Sequence, residues 1–97
     1  MMLMPPIACD WDEGKRRANI AKHGVDFAEA IEVFDDPLVE IGIDGRHDYG
    51  EERLVATGWV GDRLVVVVHT QRDDVIRVIS ARRAATHERR AFEDGTL

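Results

Sequence analysis

The chain has 97 residues, 44% hydrophobic and 33% charged, with a formal net charge of −6. That is enough for one modest core and excludes the composition of a disordered chain. The single cysteine, Cys9, excludes an internal disulfide framework and a cysteine-only zinc site, and it fits a reducing, cytoplasmic setting. The opening M-M-L-M-P-P-I-A-C lacks a basic leader and is short and proline-broken, so neither a signal peptide nor a membrane span is expected. The expectation is a single domain over 1–97, with 1–6 flexible.

Ile7 to Trp11 can form a first strand after Pro5 and Pro6, which cannot donate to a ladder. Asp12 to His23 reads as a helix with an acidic first turn and a glycine stop at Gly24. Asp26 is placed to cap a second helix, with Glu29 three residues on and Phe27, Ala30, Ile31 and Phe34 at helical spacing. Asp36-Pro37 ends it, because the residue before proline is pushed out of the helical region. Leu38 to Ile43 reads as a strand, Asp44 to Gly50 as a polar loop, and Leu54–Val60 with Leu64–Thr70 as a hairpin turning at Gly61-Asp62. The unalternating run Leu64 to Val68 marks a central strand covered on both faces. Val75 to Arg82 alternates, which in a regular strand sends Arg77 and Arg82 to opposite faces. Ala84 to Glu93 closes the chain as a helix stopped by Gly95. The fold class is α+β: an antiparallel sheet of about four strands, an optional fifth at the N-terminus, two N-terminal helices and one C-terminal helix.

Charge is unevenly spread along this chain. Residues 24–62 hold eleven Asp/Glu against Arg46 and Arg53, a balance of −9, whereas residues 71–90 hold six Arg against three acids. The acidic stretch is read first as solubilising, and second as a face for a basic partner segment. Arg72, Arg77, Arg82 and Arg83 concentrate guanidinium on strand ends, and their planar donor forks match phosphate oxygens. The bland alternative pairs them with Asp73, Asp74 or Glu88 as surface ion pairs that contribute little. Lys15, Asn19, Lys22 and His23 share one helical face, read first as a solvated face whose C-terminal cations complement the helix dipole, and second as a cleft wall with His23 able to move protons near neutrality. G-E-E-R at 50–53 sets Glu52 beside Arg53 at a strand entrance, a base and a phosphate clamp or a plain ion pair. His47 is a further candidate, while His69 in the central strand is expected to be a core residue. Paired metal-ligand spacing, a phosphate-binding glycine loop and a nucleophile elbow are all absent from the sequence.

W-D-E-G-K-R-R-A-N-I-A-K-H-G-V-D-F (11–27), G-E-E-R (50–53) and R-V-I-S-A-R-R-A (77–84), followed by E-R-R (88–90), together resemble the BrnT toxins of bacterial type II toxin–antitoxin systems. The resemblance runs from Trp11 to about Phe92. It implies a RelE-like fold and a metal-independent endoribonuclease that restrains growth, with no cofactor. It also implies a BrnA-like ribbon-helix-helix antitoxin as partner, with operator DNA reached only through that antitoxin and no membrane role. Carried onto this sequence, it points to His23, Glu52, Arg53 and Arg82 as catalytic, and to Lys22, Arg72, Arg77, Ser80 and Arg83 as RNA- or phosphate-binding. One departure is the acidic balance of this chain, where such proteins are often basic. Two rivals stand beside this reading. One is a non-catalytic nucleic-acid or antitoxin-binding module acting in operon autoregulation; the other is a small-molecule regulator with an apolar pocket.

Overall fold

Five strands hydrogen-bond in the order β1-β5-β4-β3-β2, where β1 is Ala8–Trp11, β2 Glu40–Ile43, β3 Leu54–Val60, β4 Arg63–Arg72 and β5 Val75–Arg83. The helices are α1 (Glu13–His23), α2 (Phe27–Ala30) with a 3-10 turn continuing it over Ile31–Asp35, and α3 (Thr86–Asp94). The computed structural model describes residues 8–45 and 51–96. Ile7 and His47 lie outside the described residues.

The optional N-terminal strand forms, but it runs parallel to β5, so the sheet is mixed rather than wholly antiparallel. The crossover from β1 to β5 carries both N-terminal helices and the β2–β4 meander, which is the long connection that a parallel pair requires. Asp12 caps α1 by accepting from the Lys15 N–H at 2.9 Å, and Gly24 stops it at φ 70°. Asp26 caps α2 through the Ala28 N–H rather than the Glu29 N–H, so the expected capping box is not made. The second helix is also shorter than its apolar spacing suggested, because it tightens into the 3-10 turn after one α-turn.

That turn packs directly on β3. A Cβ at Gly58 would stand 2.7 Å from Val33 Cγ2, so only glycine admits the approach. Asp36 holds the turn in place by accepting from the Trp59 N–H at 2.7 Å. The core lies between this α2 layer and one face of the sheet: Phe27, Ala30 and Val33 against Ala56, Val65, Val67, Val78 and Ala81, with Trp11 edge-on to Phe27. β4 is buried continuously from Leu64 to Thr70, as its unalternating sequence requires. The α3 helix covers part of the opposite face, with Phe92 edge-on to Trp59 and the Arg89 guanidinium 5.1 Å from the Trp59 ring.

Candidate active site

The site depends on an irregularity in β5. Val78 pairs with His69 and Ser80 with Val68, which leaves Ile79 as an extra, unpaired residue, a β-bulge. An inserted residue inverts the alternation beyond it. Val78 and Ala81, three apart, therefore both enter the core, while Arg77, opposite Thr70, and Arg82, opposite Val66, share the other face. The regular-strand expectation that these two arginines point apart is thus corrected by the bulge. Ser80 stands between them, opposite Val68. Arg72 opposes Val75 on the same face, diagonal to Arg77 and within reach of a long side chain. Arg83 opposes Val65 and projects to the core side, apart from the others.

β1 ends at Trp11 and pairs with β5 only as far as Val78, so the second half of β5 has no strand on that side. Asn19, the one buried residue of α1, takes the place of a strand. Its amide donates to the Ala81 carbonyl at 2.8 Å and the Val25 carbonyl at 2.9 Å, and accepts from the Ala81 N–H at 3.1 Å. A second clamp fixes α1 at its other end, where Arg16 donates twice to the Asp26 carboxylate, at 2.8 and 2.9 Å, and also pairs with Glu13. These bonds hold the Asp26 carboxyl below the usual carboxylate range. With α1 anchored along β5, Lys15, Asn19, Lys22 and His23 form one wall of an open cleft of ≈ 300 Å³ whose other wall is Ile79 and Ser80. The polar stripe thus lines an open cleft, the second of its two readings, and Asn19 serves chiefly as a structural bond-maker within it.

The arginines of the open face have carboxylate partners. Arg82 makes a two-pronged pair with Glu88 of α3 at 2.6 and 2.9 Å, and this lowers the Glu88 carboxyl to about 2. Glu88 also accepts from the Ala85 N–H, tying the pair to the start of α3. Arg77 lies 3.4 Å from Asp10, and Arg72 lies 3.3 Å from Glu51. Glu88 belongs to the set of partners that the bland alternative named; Asp10 and Glu51 do not, because only the sheet and the β3 entrance bring them near.

Glu52 and Arg53 lead into β3, and one further step of the β3 register sets Arg53 opposite Thr70. Thr70 is 2% exposed and its Oγ1 has no hydrogen-bond partner. Arg53, Arg72 and Arg77 thus adjoin a buried hydroxyl that the sequence did not mark. Glu52 is exposed and precedes β3, two strands or about 10 Å of sheet from β5, on the far side of β4 from the His23 cleft. His69 is a core residue as expected, 2% exposed, edge-on to Phe34 with ring centroids 5.0 Å apart, and burial pushes its pKa down. Among the described residues no group of three or more His, Cys, Asp or Glu is placed to hold a metal ion.

A model of the ribonuclease toxin BrnT of type II toxin–antitoxin systems matches residues 11–88, which span α1, the whole β2–β5 meander and the first turn of α3. The chain belongs to the BrnT toxin family. The matched span contains the His23 cleft, the Glu52–Arg53 entrance and the bulged β5, so the features built above all lie inside the family's region. It ends on Glu88, the partner of Arg82. No curated protein matches this toxin. Among the described residues no helix is long and apolar enough to cross a membrane.

Proposed function

We propose that this toxin is a metal-independent endoribonuclease whose phosphate site is the face of β5 carrying Arg77, Ser80 and Arg82, served by the adjoining Lys22–His23 cleft. The observation that carries the reading is the Ile79 bulge, which turns Arg77 and Arg82 to one side and leaves Ser80 lining the cleft with His23. RNA cleavage without a metal requires the 2′-hydroxyl to lose its proton and attack phosphorus. The 5′-oxygen then leaves with a proton, and a 2′,3′-cyclic phosphate remains. Fixed guanidinium groups stabilise the charge that grows on the phosphoryl oxygens, and a positioned side chain moves the protons.

In this scheme Arg82 and Arg77 hold the scissile phosphate, Ser80 donates to a phosphoryl oxygen, and His23 with Lys22 handles the proton at one of the two reacting oxygens. Glu52 is the rival base, approaching from the β3 side. Arg53 and Arg72, around the unpartnered Thr70 hydroxyl, hold a flanking phosphate, and Arg83 contacts the strand beyond the edge. Both tryptophans are engaged within the fold, Trp11 with Phe27 and Trp59 with Phe92 and Arg89, so base stacking is limited and sequence preference is weak. The partner is a BrnA-like antitoxin with a ribbon-helix-helix domain, through which the pair reaches operator DNA. One cytoplasmic domain suffices for all of this.

The test is incubation of purified toxin with naked RNA in EDTA beside Arg82→Ala. Cleavage by the wild type, lost in the variant with circular dichroism unchanged, supports the assignment. Cleavage retained by Arg82→Ala removes Arg82 from the site, and no cleavage by either protein favours the non-catalytic binding module.

A further inference from the structure

The edge of the sheet farthest from β5 is built for a different partner. β2 pairs with β3 on one side only, so half of its backbone N–H and C=O groups face outward. All four of its residues are exposed, and with Leu38 just before it they place three large apolar side chains in water: Leu38 64% exposed, Ile41 54% and Ile43 71%. Edges are usually protected by lysine, an inward charge, a bulge or a covering element. Here Pro37 stops short of the strand and no described strand pairs with its outer side, although Glu88 of α3 lines a pocket with Glu40–Ile43.

The chemistry around the edge is of one sign. Residues 24–45 contain seven Asp/Glu and no Lys or Arg. Glu29, Glu32, Asp35 and Glu40 make no ion pair among the described residues. A groove of ≈ 450 Å³ continues from the strand, lined by apolar Leu38, Val39 and Phe92 and by acidic Glu40, Asp94 and Glu93, the last of these paired with Arg89 at 3.0 Å. An RNA backbone is repelled by this strip. A second copy is disfavoured as well, because edge-to-edge pairing would set Glu40 and its acidic neighbours against themselves.

We infer that the β2 edge and its groove are the docking strip for an extended segment of the cognate antitoxin in which Lys or Arg alternates with apolar side chains. The inference rests on the type II toxin reading, since that class is neutralised by a protein. The segment adds a strand beside Glu40–Ile43; its apolar residues cover Ile41 and Ile43, and its cations meet the acidic rim. The β2 edge lies three strands from β5, although Glu88, the partner of Arg82, lines a pocket with Glu40–Ile43; Leu38 and Phe92 extend the strip towards α3.

The experiment titrates full-length toxin with the antitoxin encoded beside it. It compares wild type, the double variant Ile41→Lys with Ile43→Lys, and Arg82→Ala, and it follows amide hydrogen exchange of the wild type. Expected are new protection of Glu40–Ile43 on complex formation, at least about 30-fold weaker binding by the double variant, and undiminished binding by Arg82→Ala. Full affinity in the double variant overturns the inference, as does loss of affinity confined to Arg82→Ala. So does protection of Glu40–Ile43 that rises with toxin concentration alone, which would assign the edge to a second copy. The exchange measurement uses unaltered protein and so does not depend on the folding of the variant. None of these readouts requires cleavage, so a toxin that cuts no RNA would fail the catalytic proposal while leaving this one to stand or fall by itself.

Discussion

The β5 side and the β2 side of the same sheet carry opposite charge and treat it in opposite ways. On β5 Arg77 and Arg82 each already touch a carboxylate, and Arg82 donates two hydrogen bonds to a partner that is itself fixed to the start of α3. On β2 Glu40 makes no ion pair among the described residues, and Ile41 and Ile43 are more than half exposed. A guanidinium cluster meant for a passing phosphate has to be oriented beforehand, since reorientation during the reaction would cost the stabilisation it supplies. A surface meant for a protein segment can leave its charges and apolar groups open, since the segment brings both complements with it. The comparison separates a preorganised site from an unsatisfied one.

The strongest way to break it is at the groups proposed to react. Arg82→Ala and His23→Gln are each expected to lower cleavage of naked RNA by about 100-fold or more with the melting temperature nearly unchanged, measured as initial rates on a labelled strand. If Glu52→Gln alone has that effect and His23→Gln has none, the proton passes through the β3 side instead.

Next come the residues that hold the β5 side in shape. Asn19→Ala leaves the Ala81 N–H and C=O and the Val25 carbonyl without their partner. A loss of roughly 3 kcal/mol in a urea titration is expected, with the Lys22–His23 cleft disordered in consequence. Asn19→Asp keeps the acceptor but sets a buried carboxylate oxygen against the Val25 and Ala81 carbonyls, and should cost at least as much. Gly58→Ala forces the 3-10 turn off β3 and is expected to cost about 1–3 kcal/mol. Because that turn leads into β2, it should also weaken antitoxin binding while sparing cleavage at permissive temperature.

The smallest effect sharpens the preorganised side. The Glu88 carboxyl, lowered to about 2 by Arg82, lies below its unfolded value, so its contribution is present above roughly pH 4.3 and is lost as pH falls towards 2. The pair is partly exposed, so solvent screening limits that contribution to on the order of 0.5 kcal/mol. Glu88→Gln should therefore flatten the acid limb of the stability curve between these values. An unchanged limb would show that the pair does not hold in solution.

Much of this molecule was written locally in its sequence. Gly24 and Gly95 both adopt the left-handed stops expected of them, the Gly61-Asp62 hairpin turns where it should, and the valine run of β4 is buried on both faces. Each of these follows from the steric freedom of one residue or the burial of a few neighbours. The N-cap at Asp12 and the end of the second helix before Pro37 are equally local. What needed the tertiary structure was anything set by a partner distant in the chain. The pairing of β1 with β5 joins residues more than sixty positions apart, and no pattern in either segment states its direction. Asn19 looks like one member of a polar stripe until β5 presents an unpaired edge for it to close. The bulge at Ile79 is invisible in R-V-I-S-A-R, where alternation looks regular, because it arises from how β5 must register with β4 while admitting both Val78 and Ala81 to one core. The sequence by itself determined which elements form and which residue types they carry. Only the tertiary packing decided which face the arginines share and that no described strand pairs with the outer side of β2, because side-chain direction in a sheet depends on register, and register is settled between strands.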